Sequence, residues 1–321
     1  MISVKNLTKY YGDFKALNGI SFEIKSGEIV GILGPNGAGK STTLRILTCY
    51  LNPTDGDAII DGKSILNDEI NVKKIIGYLP ESAPLYNDMC VFDYLVYMAD
   101  IQELEKDKLN DRLNYVVEVC SLKEVISKPI GELSKGYKQR VGLAGSIIHD
   151  PKILILDEPT NGLDPNQIVE IRELIKELGK EKTVLVSTHI LSEVESTCSR
   201  AIIINKGDII ADDTPRNLSS SFAGNKSATV KISIKTSENA ESVREKLSSI
   251  NGINKVEIEE FEGNTDNINN DIKEISIYSN LEEPRDEIYK FIKNTDWIIY
   301  EMTKVKENLE TVFHILTKGD E

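Results

Sequence analysis

A glycine-rich motif near the start of the sequence constrains the fold more than any other feature. Residues 34–41 match the pattern G-x-x-x-x-G-K-[ST], they follow a strand-like apolar run at 29–33, and helical spacing begins at Lys40. In such a strand–loop–helix unit, backbone N–H groups and the helix N-terminus surround a phosphate. A plain glycine-rich turn would fit the same letters, but the pattern arises by chance in roughly 1 in 100 chains of this length. The motif therefore predicts nucleotide binding within an α/β fold.

The residues of this motif are predicted to hold the phosphates of ATP. Lys40 offers an ammonium group to the β- and γ-phosphates, and the hydroxyl of Ser41 suits Mg²⁺. Helical spacing continues to Leu51 and is closed by Asn52 and Pro53. The residues predicted to contact the nucleotide here are Gly34, Pro35, Asn36, Gly37, Ala38, Gly39, Lys40, Ser41 and Thr42.

Two carboxylates follow the apolar run at residues 153–156. Ligands gather at the carboxyl ends of parallel strands, so Asp157 is expected to reach the Mg²⁺ ion and Glu158 the attacking water. A buried strand with a polar exit is a common alternative. Together with the phosphate-binding motif, the acidic pair predicts ATP hydrolysis, with Lys40 and Glu158 as catalytic residues.

His189 follows the apolar run at residues 184–186, again at the end of a predicted strand. A lone histidine is more often structural than catalytic. Its place at a strand end directs it toward the same phosphates, so we expect it to contact the γ-phosphate oxygens as a third catalytic residue. His149 and His314 lack this context and are assigned no role.

Charge, cysteine usage and hydropathy exclude several classes of protein. A net charge of −14 over 321 residues argues against binding nucleic acid or anionic lipid, because both need basic surfaces. The four cysteines form no CxxC pair, so neither a disulfide framework nor a zinc site is predicted. No apolar run approaches the ~20 residues that cross a bilayer, and no secretory signal opens the sequence. We expect a soluble chain of the reducing cytoplasm.

Periodicity predicts the organisation of the larger domain. Strand-like runs open the sequence at residues 2–11, 20–25 and 29–33, and strand and helix patterns alternate after residue 150. Between them, apolar residues at helical spacing predict an inserted helical lobe at about 92–145. This alternation predicts an α/β core with a mostly parallel sheet, in a domain that spans residues 1–218.

The last third of the sequence has a different texture. A Ser-rich stretch leads us to predict a linker at residues 219–227, followed by a small α+β domain at 228–321. Strand and helix patterns there follow the order βαββαβ, which matches the ferredoxin-like plan, and a last helix is predicted at 308–318. Because no catalytic, metal or nucleotide motif occurs in this domain, we interpret it as a dimerising or regulatory module.

A further segment, residues 133–140 (LSKGYKQR), lies upstream of Asp157. With it, the sequence over about residues 1–220 resembles the ATP-binding subunits of ABC transporters, which keep an LSGGQ signature at this place. The resemblance implies a P-loop NTPase fold of the ABC type and more residues that contact MgATP. They are Tyr11 as the aromatic that stacks on adenine, Glu81 of the Q-loop beside Mg²⁺, Ser134, Lys135, Gly136 and Tyr137 of the signature, and Asp164 of the D-loop.

The mechanism that this resemblance implies needs two chains. Two such domains would meet head to tail as a homodimer, with Ser134 and Gly136 of one closing on the γ-phosphate held by Lys40 of the other. Glu158 would polarise water, and His189, the family's switch histidine, would steady the transition state. Opening after hydrolysis would reset a separate multi-spanning permease. The resemblance thus implies a cytoplasmic subunit that works at the inner face of the cell membrane.

Three positions depart from the family pattern. Lys135 replaces the first glycine of the signature, and Tyr137 replaces its glutamine. Lys135 either adds charge near the phosphate or is a solvated side chain. Glu81 stands where the Q-loop has glutamine, and its carboxylate still suits Mg²⁺ but adds negative charge beside the phosphates. These departures and the small second domain are similar to the branch of gliding-motility and sodium- or multidrug-export ATPases.

Three functions fit this sequence. The principal hypothesis is an ABC ATPase that couples MgATP hydrolysis to transport through a separate permease, because no spanning segment is predicted. The main alternative is a stand-alone ABC ATPase of DNA repair, translation or cluster assembly, against which stand the acidic charge and the lack of a long coiled-coil insertion. A non-hydrolysing, nucleotide-gated interaction protein is the third, and Lys40, Asp157, Glu158 and His189 argue against it.

Overall fold

The computed structural model describes residues 1–221, 228–259 and 272–305, and the final helix predicted at 308–318 lies outside these described residues. The helices and strands, in chain order, are β1 (Ile2–Tyr11), β2 (Phe14–Ile24), β3 (Ile29–Leu33), α1 (Lys40–Leu47), β4 (Asp55–Ile60), β5 (Lys63–Ser64), α2 (Glu69–Lys73), β6 (Ile76–Leu79), α3 (Val91–Ile101), α4 (Leu109–Val119), α5 (Lys135–Ile147), β7 (Ile153–Asp157), α6 (Pro165–Gly179), β8 (Thr183–Thr188), α7 (Leu191–Thr197), β9 (Arg200–Asn205), β10 (Asp208–Asp213), α8 (Pro215–Ser221), β11 (Ala228–Lys235), α9 (Ala240–Ser248), β12 (Ile253–Glu259), β13 (Ile272–Ser279), α10 (Arg285–Ile292) and β14 (Ile298–Val305).

The chain divides into two compact units, Met1–Pro215 and Arg216–Glu321. Helix α8 begins at the last residue of the first unit and runs to Ser221. The linker predicted at 219–227 therefore starts within a helix, and its remaining residues, 222–227, lie outside the described part of the chain.

A small antiparallel sheet opens the first unit, in the strand order β2-β1-β4-β5. We predicted that the second strand starts at residue 20, and this start is wrong, since β2 begins at Phe14. The two-residue turn at Gly12 and Asp13 pairs Tyr11 directly with Phe14, and the ladder then extends to the end of β2. Pairing along the whole hairpin thus overrides the weak strand pattern of residues 14–19.

The main sheet has six strands in the order β10-β9-β3-β8-β7-β6. Strands β9, β3, β8, β7 and β6 are parallel, and β10 is an antiparallel edge strand. The prediction of a mostly parallel sheet is confirmed. Every residue of β7 and β8 is buried, as expected for parallel strands covered on both faces. Because β3, β7 and β8 are adjacent and parallel, the loops after their carboxyl ends meet at one edge of the sheet.

Helix α1 is shorter than its sequence pattern predicts. The apolar spacing continues to Leu51, but the helix ends at Leu47 because Cys49 adopts a left-handed conformation with φ 55°. The N–H of Cys49 donates to the carbonyl of Ile46, and that of Tyr50 to Arg45, which together close the helix as a Schellman motif. Asn52 and Pro53 therefore come after the actual stop.

Helices α3, α4 and α5 form the helical lobe predicted at about 92–145. They bury one continuous apolar cluster, to which Leu95, Val116 and Leu143 contribute fully buried side chains. None of the helices within the described residues is long and apolar enough to cross a bilayer.

The second unit contains a four-stranded antiparallel sheet in the order β12-β13-β11-β14. With helices α9 and α10, its described elements follow the predicted order βαββαβ, and this strand order is that of the ferredoxin-like plan. Along β11 buried and exposed residues alternate, so Val230, Ile232 and Ile234 face an apolar core that includes Trp297.

Glu238 is bonded by three side chains in the second unit. Its carboxylate accepts hydrogen bonds from Trp297 Nε1 at 2.9 Å, from Ser242 Oγ at 2.7 Å and from Lys246 Nζ at 2.6 Å. These bonds, that of Lys246 first, lower the pKa of Glu238 from 4.5 to about 2. The carboxylate therefore ties the start of α9 to the residue that precedes β14.

The hydrogen-bonded carboxylate of Glu238 is expected to stabilise the second unit, and acid titration should reveal this contribution to the free energy of unfolding. The unfolded chain binds a proton at Glu238 near pH 4.5, whereas the folded chain does so only near pH 2, so stability present above pH 4.5 is lost as the pH falls toward 2. Urea unfolding followed by the fluorescence of Trp297, the single tryptophan of the chain, measures it at each pH. The variant Glu238→Gln should lose stability near pH 7 and decline less steeply below pH 4.5.

The exposed Glu245 on α9 provides a matched control. Glu245→Gln should follow the wild-type profile. Identical acid profiles for Glu238→Gln and the wild type would contradict the assignment.

Candidate nucleotide site

The loop between β3 and α1 requires glycine for two physical reasons. Gly37 and Gly39 adopt φ angles of 80° and 112°, which L side chains rarely tolerate. Close packing adds a second constraint, because a Cβ atom at Gly39 would lie 2.9 Å from the carbonyl oxygen of Ala16, and one at Gly34 would overlap the carbonyl of Ile204. Neighbouring backbone therefore packs against the loop. At its glycines, no side chain covers the backbone of the loop.

Lys40 lies at the first position of α1 and is buried, with 6% of its surface exposed. Its ammonium donates to the carbonyl oxygens of Gly34 at 2.9 Å and Pro35 at 3.3 Å, and lies 3.5 Å from Glu158 Oε1. The Lys40 side chain therefore reaches back across the loop, and its charge lies at the loop's centre.

Asp157 and Ser41 form a pair of oxygen ligands suited to Mg²⁺. The Ser41 hydroxyl donates to Asp157 Oδ1 at 3.1 Å, close to the spacing of about 3.0 Å expected for adjacent ligands of an octahedral Mg²⁺ ion. Ser187 Oγ at the end of β8 donates to the same carboxylate oxygen at 2.5 Å and fixes its orientation. A hydroxyl and a carboxylate are the hard donors that Mg²⁺ prefers, so these residues fit the ion.

Glu158 and His189 are in direct contact. His189 Nδ1 lies 2.8 Å from Glu158 Oε2, and the backbone N–H of Glu158 donates to Ser187 Oγ at 3.1 Å. Glu158 is buried and has a left-handed φ of 48°, a conformation that is uncommon for a non-glycine residue and typical of functional sites. Almost half of the His189 side chain, 45%, is exposed. The two side chains therefore form an acid–base pair. Glu158 is its buried member, after the end of β7, and His189 is its partly exposed member.

A cavity of about 430 Å³ brings most of the predicted residues together. Among the positions predicted from the sequence, its lining includes Tyr11, Asn36, Gly37, Ala38, Gly39, Lys40, Ser41, Thr42, Glu81, Glu158 and His189. Gly34, Pro35 and Asp157 do not line it, but all three are bonded to residues that do. This volume, with aromatic residues, the loop and the acids all in its lining, suits a nucleoside triphosphate.

Three residues of the cavity were not predicted from the sequence. Phe14 and Ala16 line it together with Tyr11, and the Gly12-Asp13 hairpin turn was the signal that could have placed Phe14 beside Tyr11. Asn161 also lines the cavity, and its amide donates to Glu81 Oε1 at 2.8 Å. That bond joins positions 80 residues apart, so no local sequence pattern predicts it.

The predicted signature residues do not line this cavity. Ser134 caps α5 by accepting a hydrogen bond from the N–H of Tyr137, and Gly136 packs so closely on Gln167 that a Cβ atom would lie 2.5 Å from its amide carbon. Asp164 caps α6 with a capping box to Gln167. The signature and the D-loop therefore adjoin each other on another surface of the first unit.

Lys135, the unusual residue of the signature, is exposed and lies against Gly162. Its ammonium is too near for any side chain at Gly162, which has a φ of 70°. Within the described part of the chain, its ammonium has no ion pair.

His149 and the four cysteines do not line the nucleotide cavity. His149 Nε2 lies 3.2 Å from the carbonyl oxygen of Ile76, and burial lowers the pKa of its ring. All four cysteines are free, and burial raises the pKa of Cys120 to about 12 and that of Cys49 to about 11. Such thiols stay protonated and unreactive at neutral pH.

Comparison with known proteins identifies similar sequences. A family model described as "ABC transporter" matches residues 17–161. Over 209 residues the chain is 38% identical to the "Uncharacterized ABC transporter ATP-binding protein YxlF" of Bacillus subtilis, covering 65% of this chain and 69% of that protein. Over 226 residues it is 37% identical to the "Lantibiotic transport ATP-binding protein SrtF" of Streptococcus pyogenes, covering 69% of this chain and 96% of the relative.

A solved structure has a similar fold. It is described as the dimeric structure of a post-hydrolysis state of the ATP-binding cassette MJ0796 bound to ADP and Pi. The TM-score is 0.60 and the sequence identity 28%, and the alignment covers 67% of this chain and 98% of that chain. Likeness in fold is therefore accompanied by likeness in sequence.

Proposed function

The chain belongs to the ABC transporter family as an ATP-binding, ATP-hydrolysing subunit, and from this premise we propose that it powers transport through a separate membrane permease. The observation that carries the ATPase part of the proposal is the cavity lined by both the phosphate-binding loop and the Glu158–His189 pair, and the transport part depends on relatives named as transport ATP-binding proteins. This cavity gives the arrangement that in-line attack on a γ-phosphate requires.

Substrate binding follows from the loop geometry. Tyr11 and Phe14 line the cavity and would offer aromatic surface to the adenine, and N–H groups of the loop would donate to the β-phosphate. When ATP enters, Lys40 exchanges its carbonyl contacts for the β- and γ-phosphate oxygens, a stronger charge-assisted interaction. Ser41 and Asp157, with Glu81 at the cavity wall, would hold Mg²⁺, which neutralises charge on the phosphates when bound.

Hydrolysis is assigned to Glu158 and His189. Glu158 orients a water molecule and takes its proton as the water oxygen bonds to the γ-phosphorus, while the bond to the β-γ bridging oxygen breaks and ADP leaves. His189 holds the Glu158 carboxylate through Nδ1, and its exposed ring would contact the γ-phosphate oxygens. The chemistry is electrostatic positioning and needs no covalent intermediate on the protein.

The signature residues support a two-chain mechanism. Ser134, Lys135, Gly136 and Tyr137 lie outside the cavity that holds Lys40, so they act on a nucleotide only if it is bound to a second copy. A head-to-tail homodimer would supply that copy, and the similar cassette described as dimeric supports it. The second unit, which lacks a nucleotide motif, would then serve in dimerisation or regulation.

The partner of this dimer is proposed to be a multi-spanning permease at the inner face of the cell membrane. Relatives named as transport ATP-binding proteins support this role. The solute is not specified by any residue of the nucleotide site.

A pull-down tests the transport function. Glu158→Gln protein with MgATP, which should accumulate the closed ATP-bound state, is used to capture partners from detergent-solubilised membranes. A co-purifying multi-spanning protein is expected, and Lys40→Ala protein, which should not close on ATP, provides the control. Recovery of soluble partners alone would favour a stand-alone ABC ATPase and contradict the proposal.

A further inference from the structure

A buried carboxylate lies behind the Glu158–His189 pair. Glu193 in the first turn of α7 has only 6% of its surface exposed. Its two oxygens accept hydrogen bonds from the hydroxyls of Thr160 and of Thr188, the latter at 2.7 Å. Within the described residues, no lysine, arginine or histidine forms an ion pair with Glu193. Two hydroxyl groups from different loops therefore hold this carboxylate.

The two threonines belong to the segments that carry the proposed catalytic pair. Thr160 is two residues after Glu158, at the exit of β7, and Thr188 immediately precedes His189, at the end of β8. Both are buried, with 3% and 1% of their surface exposed. Glu193 thus joins the two loops on which the Glu158–His189 contact of 2.8 Å depends.

One of these segments has a strained conformation, and the other is a turn that side-chain hydrogen bonds hold. Glu158 has a left-handed φ of 48°, which persists only where neighbouring contacts impose it. On the other loop, Thr188 Oγ1 donates to Glu193 and also accepts from the N–H of Ile190 at 3.0 Å, so the turn that contains His189 is fixed from both sides. Burying a carboxylate is costly unless it is hydrogen-bonded, and apolar packing would fill this place more cheaply.

We propose that Glu193 is a positioning residue for hydrolysis, which clamps Thr160 and Thr188 so that Glu158 and His189 stay in contact during attack on the γ-phosphate. The inference depends on the proposed roles of Glu158 and His189. Glu193 has no bond to the phosphate-binding loop, so its loss should impair turnover and leave ATP binding almost intact. Misplacement of a catalytic group by about 1 Å is enough to lower turnover on the order of 10²-fold.

The test compares Glu193→Ala with Glu193→Gln in the full chain. Glu193→Ala is expected to lower kcat by about 10- to 100-fold, with KM for ATP within about 3-fold of the wild type. Glu193→Gln should restore most of kcat, because its amide can accept from one threonine hydroxyl and donate to the other. Thr188→Val, which removes one bond and keeps the shape, should show the same selective loss of kcat and serves if Glu193→Ala does not fold.

A buried hydroxyl at the opposite end of β8 gives the control for structural effects. Thr183 Oγ1 accepts the N–H of Gly27 at 3.0 Å, so Thr183→Val should lower the thermal midpoint without changing kcat per folded molecule. Combining Glu193→Ala with His189→Ala should cost less than the product of the two single effects, because both act through the same contact.

The outcomes separate this inference from the proposed function. Wild-type kcat in folded Glu193→Ala, alongside an inactive Glu158→Gln, would overturn the clamp alone. Equal losses of ATP affinity and kcat would overturn it too, since they indicate general damage. An active Glu158→Gln would instead overturn the catalytic assignment on which the clamp depends.

Discussion

Replacing Glu158 with glutamine is expected to lower kcat for ATP hydrolysis by about 10²- to 10⁴-fold, with ATP affinity almost unchanged. The amide keeps the shape of the side chain but cannot take the proton of the attacking water. Lys40, which lies 3.5 Å from Glu158 Oε1 in the wild type, stays available for the phosphates. The rate of phosphate production at saturating MgATP gives kcat, and equilibrium titration with MgATP gives the affinity for ATP.

An exposed glutamate on α6 provides the control for this experiment. Glu173 pairs with Lys176, three residues away, and does not line the nucleotide cavity, so Glu173→Gln should hydrolyse ATP at the wild-type rate. Normal turnover by Glu158→Gln would show that another group activates the water.

Replacing Lys40 with alanine should have the second large effect, a fall in ATP affinity of about 10²-fold. The ammonium is buried at the centre of the loop, so its removal takes away a charge-assisted contact that solvent cannot replace. Glu158 also loses its buried cation, which leaves uncompensated negative charge where the γ-phosphate must bind. ATP should then raise the thermal midpoint less than in the wild type, because stabilisation by a ligand follows its affinity.

A lysine at the other end of the sheet controls for loss of positive charge. Lys152 precedes β7 and pairs with Asp61 at 2.8 Å, away from the nucleotide cavity. Lys152→Ala should bind ATP as the wild type does. Lys40→Ala with full ATP affinity would refute the role assigned to the loop.

The loop proposed to bind phosphate was predictable because its constraints are local. Gly34, Gly39 and Lys40 occur within seven consecutive residues, and the strand and helix that flank them have clear periodicity. The parallel sheet was equally predictable from the sequence, since patterns of buried strands alternate with patterns of amphipathic helices. Local signals failed where they were weak or misleading, as at the start of β2 and at Cys49, where a left-handed residue ends α1 before its apolar spacing does.

The sequence by itself determined which residues are candidates for the chemistry, because glycines, a lysine and acids at strand ends need no distant partner to be recognised. Only the tertiary structure decided how they meet. The contact of Glu158 with His189 exists because β7 and β8 are neighbours, and the bond of Asn161 to Glu81 spans 80 residues. Glu193, in an ordinary amphipathic helix, became a buried link between two loops only when α7 packed beneath them. Strand order and packing are long-range properties, and no spacing along the chain encodes them.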